Sequence, residues 1–218
     1  MNLHELSSLQ TSGAHATPVV FVVDDDISVR DSLELLIETA GWRPVAYASA
    51  REFLSHPRVL APACLILDIT LPEINGLDLQ HLLADRPDLP IIFITAYGNV
   101  SITVRAMKAG AVEFLTKPFR EEVLLAAIRE AIERSDSVMR REAEIQTLRA
   151  RYASLSCRER EVMDLVITGL LNKQIGGRLG ISEITVKAHR GRMMHKMKAR
   201  SIGELINMAG RLQAIRSY

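Results

Sequence analysis

The residues most able to do chemistry together are carboxylates, a hydroxyl and an ammonium, each set at the end of a short apolar run. Asp24, Asp25 and Asp26 follow the run at 19–23, Asp68 follows 64–67, Thr95 follows 91–94, and Thr116-Lys117-Pro118 follow 112–115. Carboxylates a few ångströms apart cannot all stay ionised unaided, so their convergence calls for a cation. Mg²⁺ suits such a cluster, because it takes one or two carboxylates together with waters and phosphoryl oxygens. The chemistry that follows is phosphoryl transfer. Asp68 is the nucleophile, Thr95 donates to an oxygen of the transferred group, and Lys117 counters its charge. Each residue alone carries little weight. An Asp after a strand is commonly a turn or cap residue, and Asp26, just ahead of Ile27-Ser28-Val29-Arg30, reads as a helix cap.

The elements that position this set are legible in the spacing. Between Pro18 and Ser135 five apolar runs, at 19–23, 45–47, 64–67, 91–94 and 112–115, alternate with amphipathic stretches. Continuous apolar, β-branched runs are the mark of strands buried on both faces of a parallel sheet. The stretches between them have helical spacing: Val29, Leu33, Leu36 and Ile37; Leu77, Leu79, Leu82 and Leu83; Val123, Leu124, Ala127, Ile128 and Ile132. Five βα units in this length make a doubly wound α/β domain, whose site lies at the carboxyl ends of the strands.

Four blocks, VVDDDISVR, LILDITLPEINGLDL, IIFITAYGN and AMKAGAVEFLTKPF, resemble in order and spacing the motifs of a response-regulator receiver domain over residues 17–134. The resemblance implies that Asp68 accepts a phosphoryl group from a phosphohistidine on a sensor histidine kinase. It implies an acidic pocket of Asp24 and Asp25, with Asp25 and Asp68 ligating Mg²⁺ beside the Thr70 backbone carbonyl, and a cis Lys117–Pro118 bond. Thr95 and Phe114 take the switch positions; Phe114 has no hydroxyl, so its signal is burial alone. Thr70 and Tyr97 flank the site where relatives modulate dephosphorylation. Residues 100–108, 112–115 and 121–132 would form a face for homodimerisation on phosphorylation.

The last third reads differently. Residues 154–218 show helical stripes: Val162, Leu165 and Val166; Ile175 and Leu179; Val186, Met193 and Met197; Ile202, Leu205, Ile206 and Ala209. Gly169, Gly180, Ser182 and Ser201 punctuate them, and Ser156 with Glu159 fits a capping box. The Leu-Gly-Ile-Ser turn joins the middle two of four helices as a helix-turn-helix. With Val186, Met193 and Met197 inward, the third helix turns Glu183, Lys187, Arg190, Gly191 and Met194 outward. The block LSCREREVMDLVITGLLNKQIGGRLGISEITVKAHRGRMMHKMKARS resembles LuxR/NarL/FixJ-type DNA-binding domains over residues 154–213. Relatives read bases from positions matching Lys187, Ala188 and Gly191. Here only Lys187 keeps a polar group, which leaves Arg190 and Glu183 as alternative readers. The DNA-binding set is Thr185, Lys187, Ala188, Arg190, Gly191, Arg192, Lys196 and Lys198. Gly176-Gly177 departs from the pattern, each glycine costing ~1 kcal/mol inside a helix, though Gly176 falls where close packing favours a small residue.

The fold class is thus α/β followed by all-α: a tail over 1–16, a (βα)₅ receiver domain over 17–134, a solvated helical linker over 135–153, and a four-helix helix-turn-helix domain over 154–218. Charge follows the same division. The net +1 hides −8 over residues 1–133, +2 over 134–153 and +7 over 154–218, an acidic cation-handling half joined to a part that meets a polyanion. No apolar run reaches the ~18–20 residues of a membrane span, and the N-terminus lacks a signal-peptide pattern, so the expected location is the cytoplasm. Cys64 and Cys157 offer neither a disulfide framework nor a cysteine-rich metal site.

Other functions fit less well. An aspartyl-phosphate hydrolase needs Asp-x-Asp-x-Thr, whereas position 70 is Thr. A nucleotide- or flavin-binding domain would carry a GxGxxG or P-loop motif. A phosphorylation-independent scaffold would not need the full set Asp24, Asp25, Asp68, Thr95 and Lys117. The expectation is a phosphorylation-switched transcriptional regulator, not an enzyme. It would act as an activator on double-stranded promoter DNA, with RNA polymerase a candidate further partner.

Overall fold

The structure is a computed structural model that describes residues 16–96 and 98–216. Residues 1–15 of the expected tail, and Tyr97, lie outside the described residues. Five strands, β1 (Val19–Val23), β2 (Arg43–Tyr47), β3 (Ala63–Asp68), β4 (Ile91–Thr95) and β5 (Glu113–Thr116), form one parallel sheet in the order β2-β1-β3-β4-β5. Between them run α1 (Ile27–Thr39), α2 (Ala50–Leu54), α3 (Gly76–Leu82) and α4 (Val100–Lys108). Then come α5 (Glu121–Ala153), α6 (Cys157–Ile167), α7 (Asn172–Leu179), α8 (Glu183–Met197) and α9 (Ile202–Arg216). Cα packing divides the chain into two compact units between Met139 and Arg140, within α5.

Alternation along the buried strands separates two apolar layers. Val19, Phe21, Val23, Leu65, Leu67 and Phe93 face one layer with Phe53, Leu77, Leu79 and Ala106 from α2, α3 and α4. Val20, Val22, Cys64, Ile66, Ile92 and Ile94 face the other, with Leu33 and Ile37 of α1 and Leu124, Ile128 and Ala131 of α5. β2 begins at Arg43 rather than residue 45 and contains Pro44, which an edge strand paired only with β1 accommodates. β5 is displaced by one residue from the expected run, to Glu113–Thr116, in register with β4 from Ile92 to Thr95. Three residues counted as inward, Leu82, Val123 and Ile206, are exposed: Leu82 closes the short α3, and on α5 it is Leu124, not Val123, that is buried.

The stretch read as a solvated linker is helical but not simply solvated. α5 continues unbroken through it, and its two parts are built into different units. In the first, Ser135 is fully buried; its Oγ donates to Asp88 O (2.6 Å) and accepts from Ala63 N (3.0 Å), tying α5 to the start of β3. In the second, Leu148 is buried with Leu155, Val162, Met163, Val166, Ile175, Val186, Met193, Met197 and Leu205. That core gathers the inner faces of α6, α7, α8 and α9.

The α7–α8 turn is closed by Gly180 at φ +66° and by Ile181 N donating to Gly176 O (3.1 Å). A Cβ on Gly176 would lie 2.7 Å from Ile181 O, whereas one on Gly177 would meet no atom within 4 Å among the described residues. The two adjacent glycines therefore differ in kind. Gly176→Ala is expected to destabilise the helical unit by ~1–3 kcal/mol through overpacking against backbone. Gly177→Ala is expected to be neutral or stabilising by up to ~1 kcal/mol. Urea unfolding followed by far-ultraviolet circular dichroism measures both, and equal effects would contradict this packing.

Candidate functional site

At the carboxyl edge of the sheet, Asp24 directly follows β1 and Asp68 ends β3, so the parallel register Val23↔Leu67 brings these carboxylates side by side. Asp24, Asp25 and Asp68 each present a carboxylate oxygen within 4.8 Å of the others. Asp24 and Asp68 are buried and Asp25 is exposed, which opens the cluster to solvent on one side. Lys117, just past β5, sends its Nζ between the two buried groups, 2.6 Å from Asp24 Oδ2 and 2.8 Å from Asp68 Oδ2. The other oxygens are engaged by backbone amides: Asp26 N donates to Asp24 Oδ1 (3.0 Å) and Thr70 N to Asp68 Oδ1 (2.9 Å). Thr95 is buried at the end of β4, and Lys117 N donates to its carbonyl (2.8 Å).

Burial pushes the Asp24 carboxyl up from its ordinary value, opposed by the hydrogen bonds from Lys117 and from the Asp26 amide. For Lys117 burial acts downward, but hydrogen bonds to Asp24 and Asp68 outweigh it and lift the ammonium above its usual value. The cluster thus holds one firmly charged cation against three acidic groups. With all three ionised, two negative charges are left over, and the donors are hard oxygens. That set has the chemistry of a Mg²⁺ site.

Local backbone features hold the site in place. Asp26 caps α1, its Oδ1 accepting from Ser28 N (2.8 Å). Gly76 N donates to Ile69 O (3.0 Å), folding the β3–α3 loop back on its strand; a Cβ on Gly76 would lie 2.5 Å from Asp68 O. The Lys117–Pro118 bond is cis. Phe114 is half-buried, its ring centroid 6.2 Å from that of Phe93, and a Cβ on Gly98 would sit 3.2 Å from its Cε1.

In the second unit, α8 starts at a cap made by Ser182, whose Oγ accepts from Thr185 N (3.2 Å) and shares a hydrogen bond with Thr185 Oγ1 (2.8 Å). Lys187, Ala188 and Gly191 are exposed along its outer face, with Glu183 3.5 Å from Lys187. Met194 does not join them; it packs against the core. Arg190 is half-buried and donates to Asn172 Oδ1 (2.8 Å). Lys196 is engaged too, its Nζ 2.7 Å from Glu159 Oε2 and 3.1 Å from Ser154 O. Arg192 lies 3.7 Å from Glu159 Oε1, and Lys198, exposed at φ +55°, closes the helix.

Sequence reasoning assigned Glu159 only a cap. The capping box is present, with Glu159 Oε2 accepting from Ser156 N (2.9 Å). The same buried carboxylate is also the anchor by which α6 holds the C-terminal half of α8. Neither this pairing nor the Asn172 strut carries a sequence signal, since both join residues of different helices.

Residues 20–129 match the family model of the response regulator receiver domain, and residues 153–209 that of the luxR family of bacterial regulatory proteins. Nodulation protein W of Bradyrhizobium diazoefficiens is 49% identical over 199 residues, 90% of this chain and 87% of that protein. The transcriptional regulatory protein FixJ of the same organism is 39% identical over 193 residues, 88% of this chain and 94% of that one. The solved structure of the response regulator StyR is 44% identical and superposes with a TM-score of 0.83, covering 90% of this chain and all of that one.

Glu159 gives this region a pH dependence. The Lys196 hydrogen bond first, and then the Ser156 amide, hold its carboxyl below the ordinary value against the opposing effect of burial. Its stabilisation is therefore complete above the ordinary glutamate pKa of about 4.3 and is lost as pH falls through the lowered value. Glu159→Gln retains an oxygen for Ser156 N but loses the ion pair. The variant is expected to unfold at a lower temperature than the parent at pH 7, with the gap closing progressively below about pH 4.3, as read by thermal melts across pH. A gap independent of pH would overturn the ion-pair account.

Proposed function

The chain belongs to the two-component response regulators that join a receiver domain to a LuxR-type DNA-binding domain, and from that premise we propose that phosphorylation of Asp68 switches its control of transcription. The observation that carries this reading is the Lys117 ammonium bridging the buried Asp24 and Asp68 beside Asp25. In the proposed step the P–N bond of a kinase phosphohistidine breaks as a P–O bond forms to an Asp68 oxygen. Asp68 then carries an acyl phosphate and the kinase histidine is free again.

Asp24, Asp25 and Asp68, with the Thr70 carbonyl, would hold Mg²⁺, which when bound neutralises charge on the phosphoryl oxygens. Lys117 would pair with phosphoryl oxygens, and the Thr95 hydroxyl would donate to one of them. Modification adds roughly −1.5 to −2 charge at a point compensated for the resting carboxylate. Thr95 and Phe114 are the residues placed to respond. Homodimerisation through α4, β5 and the first part of α5 is supported by the exposed Val100, Val104, Met107 and Val123 on that face.

The partner of the second unit is duplex DNA, bound with α8 in the major groove at two half-sites about one helical turn (~10 bp) apart or a multiple of it. Lys187, with Thr185, Ala188 and Gly191 beside it, is the base-facing group, and Arg190, Arg192 and Lys198 supply positive charge toward phosphate. Lys196, committed to Glu159, acts chiefly by positioning α8. We assign the protein as an activator in the cytoplasm, with RNA polymerase as its target at the promoter. Among the described residues no helix is long and apolar enough to cross a membrane.

Two variants separate the two roles. Asp68→Asn is expected to abolish incorporation of ³²P from labelled acetyl phosphate and with it the phosphorylation-dependent gain in promoter binding; undiminished labelling would remove Asp68 from the acceptor role. Lys187→Ala is expected to label normally but to bind promoter DNA about tenfold more weakly, with relaxed specificity at the base pair it faces. An unchanged affinity and sequence preference in gel-shift titrations would withdraw Lys187 from the interface.

A further inference from the structure

The outward face of α8 carries a side chain that the assignments above leave unused. Ile184 is 80% exposed in the first turn, one of the most exposed large apolar residues of the described chain. Its helical neighbours at i+3, i+4 and i+7 are Lys187, Ala188 and Gly191, all exposed. These four residues form one continuous strip along the N-terminal half of α8.

The polar groups around this strip are largely committed within the protein. Ser182 and Thr185 bond to each other and close the helix cap. Arg190 is held by Asn172 and Lys196 by Glu159. Lys187, 3.5 Å from Glu183, is the basic side chain on the strip itself. What the strip offers a groove is an isoleucine, a methyl and a bare backbone. A Cβ on Gly191 would have no atom within 4 Å among the described residues, so the absence of a side chain there is not required by packing inside the protein. Two such small positions let the helix approach a partner closely.

Charge complementarity commits the strip to one occupant. It lies on a segment of net charge +7, includes Lys187 and is bordered by Arg190, which suits a polyanion and not an apolar protein surface. The apolar group that duplex DNA presents in its major groove is the C5-methyl of thymine. We infer that Ile184 is a specificity-determining residue that reads thymine by packing on its C5-methyl, with Ala188 and Gly191 kept small so that the helix sits close enough for the contact. This rests on α8 being the DNA-reading helix.

Selection of bound duplexes from a random pool, using the full-length phosphorylated protein, gives the preferred half-site. Each thymine is then replaced singly by deoxyuridine, which removes only the methyl group. Loss of one methyl contact is expected to weaken binding about fourfold at one or two positions. Ile184→Ser is expected to abolish that thymine-over-uracil preference, and Ile184→Val to retain it; circular dichroism checks that both variants are folded. An enriched half-site whose deoxyuridine forms bind the parent equally well, or an Ile184→Ser variant that keeps the preference, overturns the inference while leaving α8 as the reader. Failure to enrich any sequence overturns the reading on which it rests.

Discussion

One half-buried ammonium between two buried carboxylates is the constraint on which the first unit depends. Asp24 and Asp68 end adjacent parallel strands, so the sheet forces two acidic groups together in a place where water screens them poorly. Lys117 relieves the repulsion only in part, because Asp25 adds a third negative group at the open side. Resting neutrality would defeat the purpose of such a site. A cluster left short of positive charge attracts a cation, and a fully compensated one would not. Burial raises the Asp24 carboxyl, and the hydrogen bonds to Asp24 and Asp68 raise the Lys117 ammonium against burial.

The same economy governs the second unit with the sign reversed. A segment with an excess of basic residues must be held together before it can bind an anion, and a single buried Glu159 does much of that work at the C-terminal half of α8. It closes the start of α6 through Ser156 and holds Lys196 and, more distantly, Arg192. The cost is that a charge which sequence reasoning would spend on phosphate is spent on mounting the helix. Basic composition therefore overstates the charge available to DNA, and contacts within the protein correct the count.

Much of this was legible in the residues. Runs of β-branched and aliphatic residues mark buried parallel strands because alternation is lost when both faces are covered, and the strand ends then locate the site. Asp24, Asp25 and Asp68 meet as the spacing implied, and the Ser156–Glu159 and Ser182 caps are local enough to read directly. The misreadings have a common origin. Leu82, Ile206 and Met194 lie where helical periodicity is ambiguous by one residue, about 100° of rotation, and only packing decides which side is inward. The division of α5 between two cores was hidden because Ser135 is polar and its burial depends on Asp88 and Ala63, neither near it in sequence.

The adjacent glycines of α7 sharpen the limit of what spacing conveys. Gly176 and Gly177 look equivalent in the chain, and intrinsic propensity penalises both alike. In three dimensions Gly176 is where the turn into α8 crosses back over α7, close enough that Ile181 O occupies the volume of a methyl group, while Gly177 faces open space. The tight turn fixes the angle at which α8 leaves α7, and with it the face that α8 turns outward. The bareness of Gly176 is therefore a requirement of the turn from which α8 leaves, just as that of Gly76 is a requirement of the loop folded against Asp68. In both units the backbone passes close only because the residue beneath it has no side chain.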